Sequence, residues 1–363
     1  QKSLKLRMRS DVPIAFCLSG GIDSGLLVSL ANKKFHKKVS TFSIIDQDYR
    51  YNERKNINLI LDDLKCDNLN IFLKKKKNLF FKRLKELTNY HDGPISTISY
   101  YIHSFLSEEI SKKGYKVAIS GTGADEIFTG YYDHYLLHLQ SIYKHKSFKK
   151  NLENWYKFVL PFIRNPNLKD PYLYINDKKN RDNVFESKLG IKNFSRLIKR
   201  FNFTEKNYSN ELLRNRMLNE LFHEVVPIIL RHDDLNSMFF SIENRSPYLD
   251  KDILEFSLKV PPEILIKNGY QKNLLRSASK KVLLDEIRLD RQKKGFNASI
   301  NSILDIKNNK NINKIFNKKN PINDFINLKK FKDSIDLKSI PNHYSKLIFS
   351  IVTTNFFLEE NNY

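Results

Sequence analysis

The sequence is poor in cysteine and tryptophan, and it has no long apolar run. Its 363 residues include two cysteines, which show no metal-ligand spacing, so neither a disulfide framework nor a cysteine-based metal site is predicted. We expect two inert thiols in a reducing compartment. No apolar run approaches the ~20 residues of a membrane span. The basic, polar first ten residues do not resemble a signal peptide. These absences indicate a cytoplasmic protein without membrane contact.

Acidic residues are scarce relative to basic ones. Lysine and arginine together number 63 against 40 acidic residues, and the formal net charge is +23. Such a charge is compatible with nucleic-acid binding. The lysines are spread along the whole chain, however, including loops such as 74–77 and 307–319, and a diffuse distribution is typical of a solvated surface. The composition therefore favours a surface that gathers anionic substrates over a nucleic-acid interface.

One stretch near the start has the pattern of an anion-binding turn. Residues 13–18 are a short apolar run typical of a buried strand, residues 19–24 read S-G-G-I-D-S, and residues 25–31 open a helix. A glycine turn between strand and helix directs free backbone N–H groups at one anion. No lysine follows the glycines, so the common G-x-x-x-x-G-K-S/T loop is excluded and a pyrophosphate-binding loop is favoured. An ordinary turn with Ser19 as helix cap is the alternative.

Two aspartates imply a metal ion. Asp23 would repel a phosphate at this turn unless a cation lay between them, and Mg²⁺ bridges carboxylate and phosphate oxygens. A second glycine-rich stretch, within residues 119–131, also follows an apolar run and presents Asp125. Because the carboxyl ends of parallel strands meet at one edge of a sheet, both aspartates can meet at one Mg²⁺. Alternatively, Asp125 is an acid favoured by a helix dipole.

Strand-like and helix-like segments alternate in the first third of the chain. Further strands are predicted at 38–45, 69–73 and 116–120, and helices at 53–64, 79–90 and 99–113. This alternation predicts an α/β fold with a doubly wound parallel sheet. Beyond Asp133 no strand is predicted, and helices are expected at 136–146, 155–163, 210–223, 252–258 and 343–357. The polar segment 165–206 reads as an insertion, and 308–324 as an exposed segment.

Five motifs occur in a fixed order along the chain. They are S-G-G-I-D-S at 19–24, S-G-T-G-A-D-E-I-F-T-G-Y at 120–131, S-M-F-F-S-I-E-N-R-S-P-Y-L-D at 237–250, K-N-L-L-R at 272–276 and R-Q-K-K-G-F at 291–296. Each is moderately specific alone. The ordered set, over roughly residues 10–296, resembles the synthetase domain of glutamine-dependent asparagine synthetases. The resemblance implies a sheet of the adenine-nucleotide α-hydrolase-like (PP-loop) type with a large helical C-terminal part.

The resemblance also implies a domain organisation. Residues 1–11 would be a linker remnant from an N-terminal glutaminase domain that this sequence does not contain. Residues 12–300 would form the ATP-binding synthetase domain, with an α/β core at 12–135 and a helical part at 136–300. Residues 301–363 would form a Lys/Asn-rich loop and a C-terminal helix. A homodimer is compatible with this organisation.

The family chemistry is the ATP-dependent formation of an amide. ATP activates a carboxylate as an acyl-adenylate, and attack by ammonia then releases the amide and AMP. The resemblance implies ATP and Mg²⁺ as cofactors and L-aspartate as the default substrate, with L-asparagine as product. In the family a glutaminase domain supplies the ammonia from glutamine. The chain as given has no such domain, so we expect it to use free ammonia or to be the synthetase part of a longer protein.

The resemblance implies roles for individual residues. The ATP-binding positions would be Leu18, Ser19, Gly20, Gly21, Asp23, Ser24, Ile44, Ser120 and Gly121, with Asp23 and Asp125 as Mg²⁺ ligands. Lys293 would stabilise negative charge at the α-phosphorus and in acyl transfer, because a fixed cation acts where charge develops. Lys272 and Arg276 would contact phosphate or carboxylate, or else lie on a solvated helix face. Glu243 and Arg245 are expected to form a structural ion pair.

One position departs from the family pattern. Many asparagine synthetases have Glu, within S-G-E-G, where this chain has Thr122, at a position that faces the substrate and intermediate. Threonine offers a hydroxyl but no charge and no useful base, so the substrate carboxylate stays open. Amidation of a sugar uronic acid, or closure of an amide ring, is the alternative to aspartate. An RNA-modifying PP-loop enzyme is disfavoured by the placement of the cysteines, and a non-catalytic interaction module by the retained Asp23, Asp125 and Lys293.

Overall fold

The computed structural model describes residues 1–180, 204–293, 297–315, 340 and 342–361. Its centre is a parallel sheet of five strands in the order β3-β2-β1-β4-β5. The strands are β1 (Ile14–Cys17), β2 (Ser40–Ile45), β3 (Asp67–Phe72), β4 (Val117–Ile119) and β5 (Glu243–Arg245). The α/β parallel-sheet prediction is confirmed.

The position of β1 determines where a ligand can bind. In β1, Phe16 lies opposite Thr41 of β2 on one side and opposite Ile119 of β4 on the other. The chain therefore moves outward from β1 in one direction through β2 and β3, and in the other direction through β4. Such a switch point opens a crevice at the carboxyl ends of the two diverging strands. The loops that follow β1 and β4 carry the two predicted aspartates.

Helices flank the sheet and make up most of the other regular structure in the described residues. Those of the first half are α1 (Lys2–Arg7), α2 (Ile22–Ser29), α3 (Arg54–Leu64), α4 (Phe80–His91), α5 (Ile98–Lys112), α6 (Ala124–Phe128), α7 (Tyr132–Ser141), α8 (Phe148–Phe158) and α9 (Leu173–Asn176). Those of the second half are α10 (Leu212–Asn219), α11 (Val226–Phe239), α12 (Lys251–Leu258), α13 (Pro262–Leu265), α14 (Asn273–Ala278), α15 (Asp285–Arg288), α16 (Ile300–Ile303), α17 (Asn309–Ile315) and α18 (Asn342–Glu360). None of the helices described is both long and apolar enough to cross a membrane.

Three apolar clusters hold these elements together. Alternate residues of β1 point to opposite faces of the sheet, so that Ala15 belongs to one cluster and Phe16 to another. The cluster of Ala15 also contains Phe349 of α18, so the C-terminal helix packs on the body of the protein. The third cluster surrounds the buried Trp155 of α8 in the helical part. The site edge of the sheet is thus supported by packing on both faces.

The prediction that no strand follows Asp133 is wrong. Glu243–Arg245 forms β5 and pairs in parallel with β4. Its three residues are polar or charged, so no apolar run announces it. It lies at the end of the sheet, where only one strand neighbours it, and a strand there does not need two buried faces.

The N-terminal segment is ordered and packs on the body of the protein. Residues 2–7 form α1, in which Ser3 and Leu4 are buried. Arg7 pairs with Asp250, and Lys2 lies 2.6 Å from Asp252, so the segment is held against the start of α12. The proposed division of the chain at residues 11 and 300 stays a prediction.

Several predicted helix bounds are shifted. The helix predicted at 155–163 spans Phe148–Phe158, and the next residues form a 3₁₀ turn at Leu160–Phe162 that contains Pro161. Proline removes a backbone donor and disfavours continuation of the helix. The predicted insertion 165–206 lies partly outside the described residues, as do the exposed segment 308–324 and the end of the R-Q-K-K-G-F motif.

Candidate active site

The turn after β1 is closed by its own two serines. The Ser24 hydroxyl donates to the Ser19 carbonyl at 3.1 Å and accepts from the Ser19 backbone N–H at 3.0 Å. The helix cap of α2 is Gly21 rather than Ser19, so the alternative in which Ser19 caps the helix is wrong. A Cβ on Gly20 would lie 2.7 Å from the Cβ of Asn56, so only glycine fits there. The S-G-G-I-D-S stretch is therefore a preformed loop at a helix start, as the pyrophosphate reading requires.

The turn after β4 places Asp125 in the first turn of α6. The carboxylate of Asp125 packs directly on Gly130, where a Cβ would lie 1.8 Å from Asp125 Oδ1. Gly121 touches the other loop, because a Cβ there would lie 3.1 Å from the Cβ of Asp23. The hydroxyl of Tyr248 donates to the carbonyl of Asp23 at 2.9 Å. The two loops thus pack against each other, as the topology predicts.

Two lysines from the helical part complete the cluster. The Lys272 Nζ lies 2.5 Å from Asp23 Oδ2 and 2.6 Å from Asp125 Oδ1. The Lys293 Nζ lies 2.5 Å from Asp125 Oδ2. Lys272 is 5% exposed, so the alternative that it lies on a solvated helix face is wrong. We call Asp23, Asp125, Lys272 and Lys293 the acid–lysine cluster.

The pKa values of the cluster follow from burial and charge. Burial raises the pKa of Asp23, and the ammonium of Lys272 only partly offsets that effect. Burial also disfavours ionised Asp125, but the two lysines outweigh it and hold the pKa of Asp125 well below its usual range. The pKa of Lys272 is raised, because Asp125 and Asp23 outweigh its own burial. Two carboxylates and two ammonium groups therefore balance one another inside the protein.

The oxygens of Asp23 and Asp125 are suitable ligands for Mg²⁺, but the two lysines occupy part of the space between them. Asp23 Oδ1 is buried and accepts no hydrogen bond within the described part of the chain, which leaves an oxygen open to a hard cation. Asp125 Oδ1 likewise accepts no hydrogen bond in the described residues, although both oxygens of Asp125 lie within 2.6 Å of an ammonium group. A metal held by both aspartates therefore fits these residues if one ammonium moves aside.

Two further residues, which the sequence interpretation did not single out, support Lys293. The Lys293 Nζ lies 4.3 Å from the centre of the Tyr131 ring, and the Tyr131 hydroxyl donates to Glu126 Oε1. Glu126 is 2% exposed, and burial, followed by repulsion from Asp125, raises its pKa to about 7. Both residues lie inside the second glycine-rich motif, but no sequence spacing distinguishes their roles. The ring contact stabilises an ammonium above the aromatic face.

A cleft open to solvent adjoins the first loop. Its lining includes Ser19 and Ile44, both predicted at the nucleotide, together with Asp46 and Tyr51, which were not predicted. Asp46 is buried, and the Ser302 hydroxyl donates to its Oδ1 at 2.5 Å. No pattern of spacing singled out Asp46, because it follows β2 without a glycine turn.

The other site residues predicted from the sequence are not members of the acid–lysine cluster. Leu18 is buried directly after β1, and the Ser120 hydroxyl lies 3.2 Å from the Thr122 hydroxyl after β4. The buried guanidinium of Arg276 donates to the carbonyls of Gln271 and Arg288. These backbone contacts favour a structural role for Arg276 over contact with a phosphate.

Two other predictions concern Glu243, Arg245 and the cysteines. Arg245 Nε lies 2.7 Å from Glu243 Oε1, and its NH1 group donates to the carbonyls of Arg7 and Arg9, which confirms the structural ion pair. Cys17 and Cys66 are free thiols. Burial raises the pKa of Cys17 to about 12. A thiol with this pKa is a poor nucleophile at neutral pH.

The sequence matches the family model described as "Asparagine synthase" over residues 1–358. Asparagine synthetase (glutamine-hydrolyzing) 1 of Bacillus subtilis is 29% identical over 313 residues, which are 81% of this chain and 48% of that protein. Putative asparagine synthetase (glutamine-hydrolyzing) 2 of Methanocaldococcus jannaschii is 32% identical over 36% of this chain and 25% of its own length. Amidase chyE of Penicillium rubens is 26% identical over 36% of this chain and 21% of its own length. The chain thus spans about half the length of the Bacillus relative, and less of the other two.

Proposed function

Because this chain belongs to the asparagine synthase family, we propose that it joins ammonia to a carboxylate at the expense of ATP. The carboxylate oxygen attacks the α-phosphorus of ATP, and pyrophosphate leaves. Ammonia then attacks the acyl carbon of the adenylate, a proton is lost to solvent, and AMP leaves with the amide as the second product. The observation that carries the proposal is the acid–lysine cluster beside the closed S-G-G-I-D-S loop.

The first loop supports the binding of pyrophosphate. Its backbone is closed by Ser19 and Ser24, and it stands at the start of α2, where N–H groups have no partner inside the helix. The dipole of the helix adds partial positive charge at this end. We propose that Gly20 and Gly21 admit phosphate oxygens close to the backbone, with Leu18, Ile44, Ser120 and Gly121 around the adenosine.

Mg²⁺ would be held by Asp23 and Asp125, and bound there it would neutralise charge on the phosphates. The open Oδ1 of Asp23 supports this assignment.

Lys293 is proposed as the catalytic cation. It is anchored on one side by Asp125 Oδ2 and on the other by the Tyr131 ring, so that the ammonium group needs little rearrangement as charge develops. A preorganised cation of this kind stabilises the pentavalent phosphorus and later the tetrahedral acyl centre. Asp125 would act through Lys293 as well as through the metal.

The carboxylate substrate is proposed to be L-aspartate by default. Two relatives of this chain are described as asparagine synthetases of the glutamine-hydrolysing type. Thr122, which replaces the glutamate of many family members, lies beside Ser120 without a charge of its own. Another carboxylate, such as a uronic acid or an acid that closes an amide ring, is the second candidate, and it is favoured by Amidase chyE of Penicillium rubens, a relative that is not described as an asparagine synthetase. We propose ammonia as the nitrogen donor, derived from glutamine where a glutaminase domain accompanies the chain.

The exchange of labelled pyrophosphate into ATP tests the proposal. The protein is incubated with Mg²⁺, ATP, pyrophosphate and one acid at a time, and the label in ATP is counted. We expect exchange that depends on the acid, followed by amide formation when ammonia is added. Exchange with another acid but not with aspartate would refute aspartate and leave the reaction class standing. Absence of exchange and of amide with every acid, in a protein that still binds ATP, would refute the reaction class.

A further inference from the structure

Lys272 occupies the space between two carboxylates that come from different loops. Its Nζ lies 2.5 Å from Asp23 Oδ2 and 2.6 Å from Asp125 Oδ1. These are the two groups that would hold a divalent metal in the proposed function. Mg²⁺ requires oxygen ligands at about 2.0–2.1 Å in a nearly octahedral shell, so a cation and an ammonium group cannot share this space.

The backbone of Lys272 is fixed by backbone contacts, whereas its ammonium group is held by its ion pairs with Asp23 and Asp125 and by a hydrogen bond to Asp23. The residue precedes α14 in the left-handed conformation, with φ 53° and ψ 34°, which a residue with a side chain seldom adopts. Its N–H donates to the Thr129 hydroxyl at 3.4 Å, and its carbonyl accepts from the Arg276 N–H at 2.9 Å. The base of the side chain therefore stays in place if the ammonium changes partners.

The charge balance decides when such a change is favourable. Without a ligand, the two carboxylates and the two ammonium groups of the acid–lysine cluster compensate one another. A divalent metal without nucleotide would add two uncompensated positive charges to a buried site and would also displace the Lys272 ammonium group from its carboxylate partners. Both changes are unfavourable in a medium of low dielectric constant. A metal that arrives with the phosphates of a nucleotide brings its own compensation, and the phosphate oxygens offer the displaced ammonium a new partner.

We propose that Lys272 stands in for the divalent metal in the nucleotide-free protein, so that the metal binds Asp23 and Asp125 only together with nucleotide. The inference rests on the proposed function, since it takes these aspartates as the metal ligands. Lys272 then acts as a positioning residue: it keeps the two loops together while the site is empty and moves to the phosphates when the site is filled. Metal binding and nucleotide binding are therefore coupled through one side chain.

Binding of Mn²⁺, followed through the electron paramagnetic resonance signal of the free ion, tests the inference. We expect weak binding of Mn²⁺ alone by the unaltered protein and tight binding once α,β-methylene-ATP is added. The Lys272→Met variant should bind Mn²⁺ without nucleotide at least ~10-fold more tightly, because no ammonium competes for the carboxylates. Adding Asp23→Asn to Lys272→Met should abolish that gain. Lys76→Met, which breaks a 2.9 Å ion pair with Glu109, is the matched control and should leave Mn²⁺ binding unchanged.

Two results would overturn the inference. One is tight Mn²⁺ binding by the unaltered, nucleotide-free protein; the other is a folded Lys272→Met variant that gains no affinity for Mn²⁺. Circular dichroism shows whether Lys272→Met is folded, and Lys272→Gln replaces it if it is not. In addition, Mn²⁺ alone should leave the unfolding temperature of the unaltered protein unchanged, whereas Mn²⁺ with the analogue should raise it. A protein that binds the analogue neither with nor without Mn²⁺ would instead refute the proposed function, so the two failures are distinct.

Discussion

The loops after β1 and β4 are built alike but surround their aspartates differently. Each leaves a buried parallel strand through glycines and presents one carboxylate at the start of a helix. Asp23 lies close to one ammonium group, through Oδ2, whereas Asp125 lies within 2.6 Å of an ammonium group at each oxygen. Oδ1 of both aspartates is buried and has no hydrogen bond among the described residues. The pKa of Asp23 is raised, chiefly by burial, and that of Asp125 is lowered against burial by the two lysines.

The difference indicates a division of labour between two similar loops. An aspartate with a single cationic partner is better suited to a metal, and an aspartate with two cationic partners is suited to hold those cations in place. The loop motif therefore predicts a carboxylate at the end of the strand, but the cations that pair with this carboxylate determine its role. Three experiments separate the two loops, and they are given in order of decreasing effect; a fourth tests the same contrast in two buried histidines.

Removal of the lysine that contacts only the second loop should have the largest effect. We expect Lys293→Ala to lower kcat by ~10²–10³-fold, because a preorganised cation is lost where charge develops, while the fold is retained. Amide formation with ammonia measures kcat, and circular dichroism checks the fold. Lys76→Ala is the control, with kcat expected to be unchanged. Turnover by Lys293→Ala at the unaltered rate would remove Lys293 from the mechanism.

A methyl group beneath Asp125 should misplace its carboxylate. The Cβ of Gly130→Ala would lie 1.8 Å from Asp125 Oδ1 and 2.6 Å from the Asp125 Cα, so the carboxylate and its backbone must shift from their places beside the two lysines. We expect a ~100-fold loss of activity from misplacement of the charged groups. Gly21→Ala in the first loop is the comparison for folding, because its Cβ would lie 3.4 Å from the nearest atom, Ser19 Oγ. Equal unfolding temperatures of the two variants would show that the second loop tolerates the added methyl.

Neutral isosteres of the two aspartates should differ in their cost to stability. Asp125→Asn leaves Lys293 without a carboxylate and Lys272 with one, and we expect a loss of about 3 kcal/mol in the free energy of unfolding. Asp23→Asn removes a carboxylate whose ionisation burial already disfavours, and we expect a loss of about 1 kcal/mol. Urea unfolding of both variants in the absence of Mg²⁺ and nucleotide gives the two values. Equal losses in the free energy of unfolding would contradict the proposal that the two aspartates have different roles.

The same contrast between paired and unpaired buried groups recurs in two histidines of α7. Nε2 of His134 lies 2.8 Å from Glu220 Oε2, and that partner raises the pKa of His134 despite burial. His138 is joined to no carboxylate in the described part of the chain, and burial lowers its pKa to about 4. Between pH 6.5 and about 4, His138 is protonated in the unfolded chain but neutral in the folded chain. The free energy of unfolding therefore falls as the pH is lowered through this range, and it does not depend on His138 at higher pH.

His138→Gln should therefore reduce the loss of stability that the protein shows as the pH falls below 6.5. Between pH 7 and pH 5 we expect the unaltered protein to lose about 2 kcal/mol more than His138→Gln in the free energy of unfolding. Urea unfolding at both pH values measures the difference, and any constant cost of the substitution cancels in it. Parallel pH profiles would show that His138 is protonated equally in the folded and unfolded chains.

The local patterns of the sequence predicted the first four strands to within about two residues, and the reason is that each is a short apolar run between polar turns. The polar edge strand β5 was missed, because its position comes from pairing with β4 and not from hydrophobicity. The sequence did not decide whether Lys272 contacts a phosphate or lies on a solvated helix face, because a lysine before a short helix has the same local pattern in both cases. Glu126, Tyr131 and Asp46 carried no spacing that set them apart.

The sequence alone determined that glycine turns follow two buried strands, and that each turn presents an aspartate at the same edge of a parallel sheet. Strand periodicity and turn chemistry are local, so they can be read without coordinates. Only the tertiary structure decided which cations meet those aspartates. Lys272 is 249 residues from Asp23, and their contact depends on how α14 packs beside the two loops. The different tasks of Asp23 and Asp125 are consequently a property of that packing, because an identical carboxylate changes its chemistry with its neighbours.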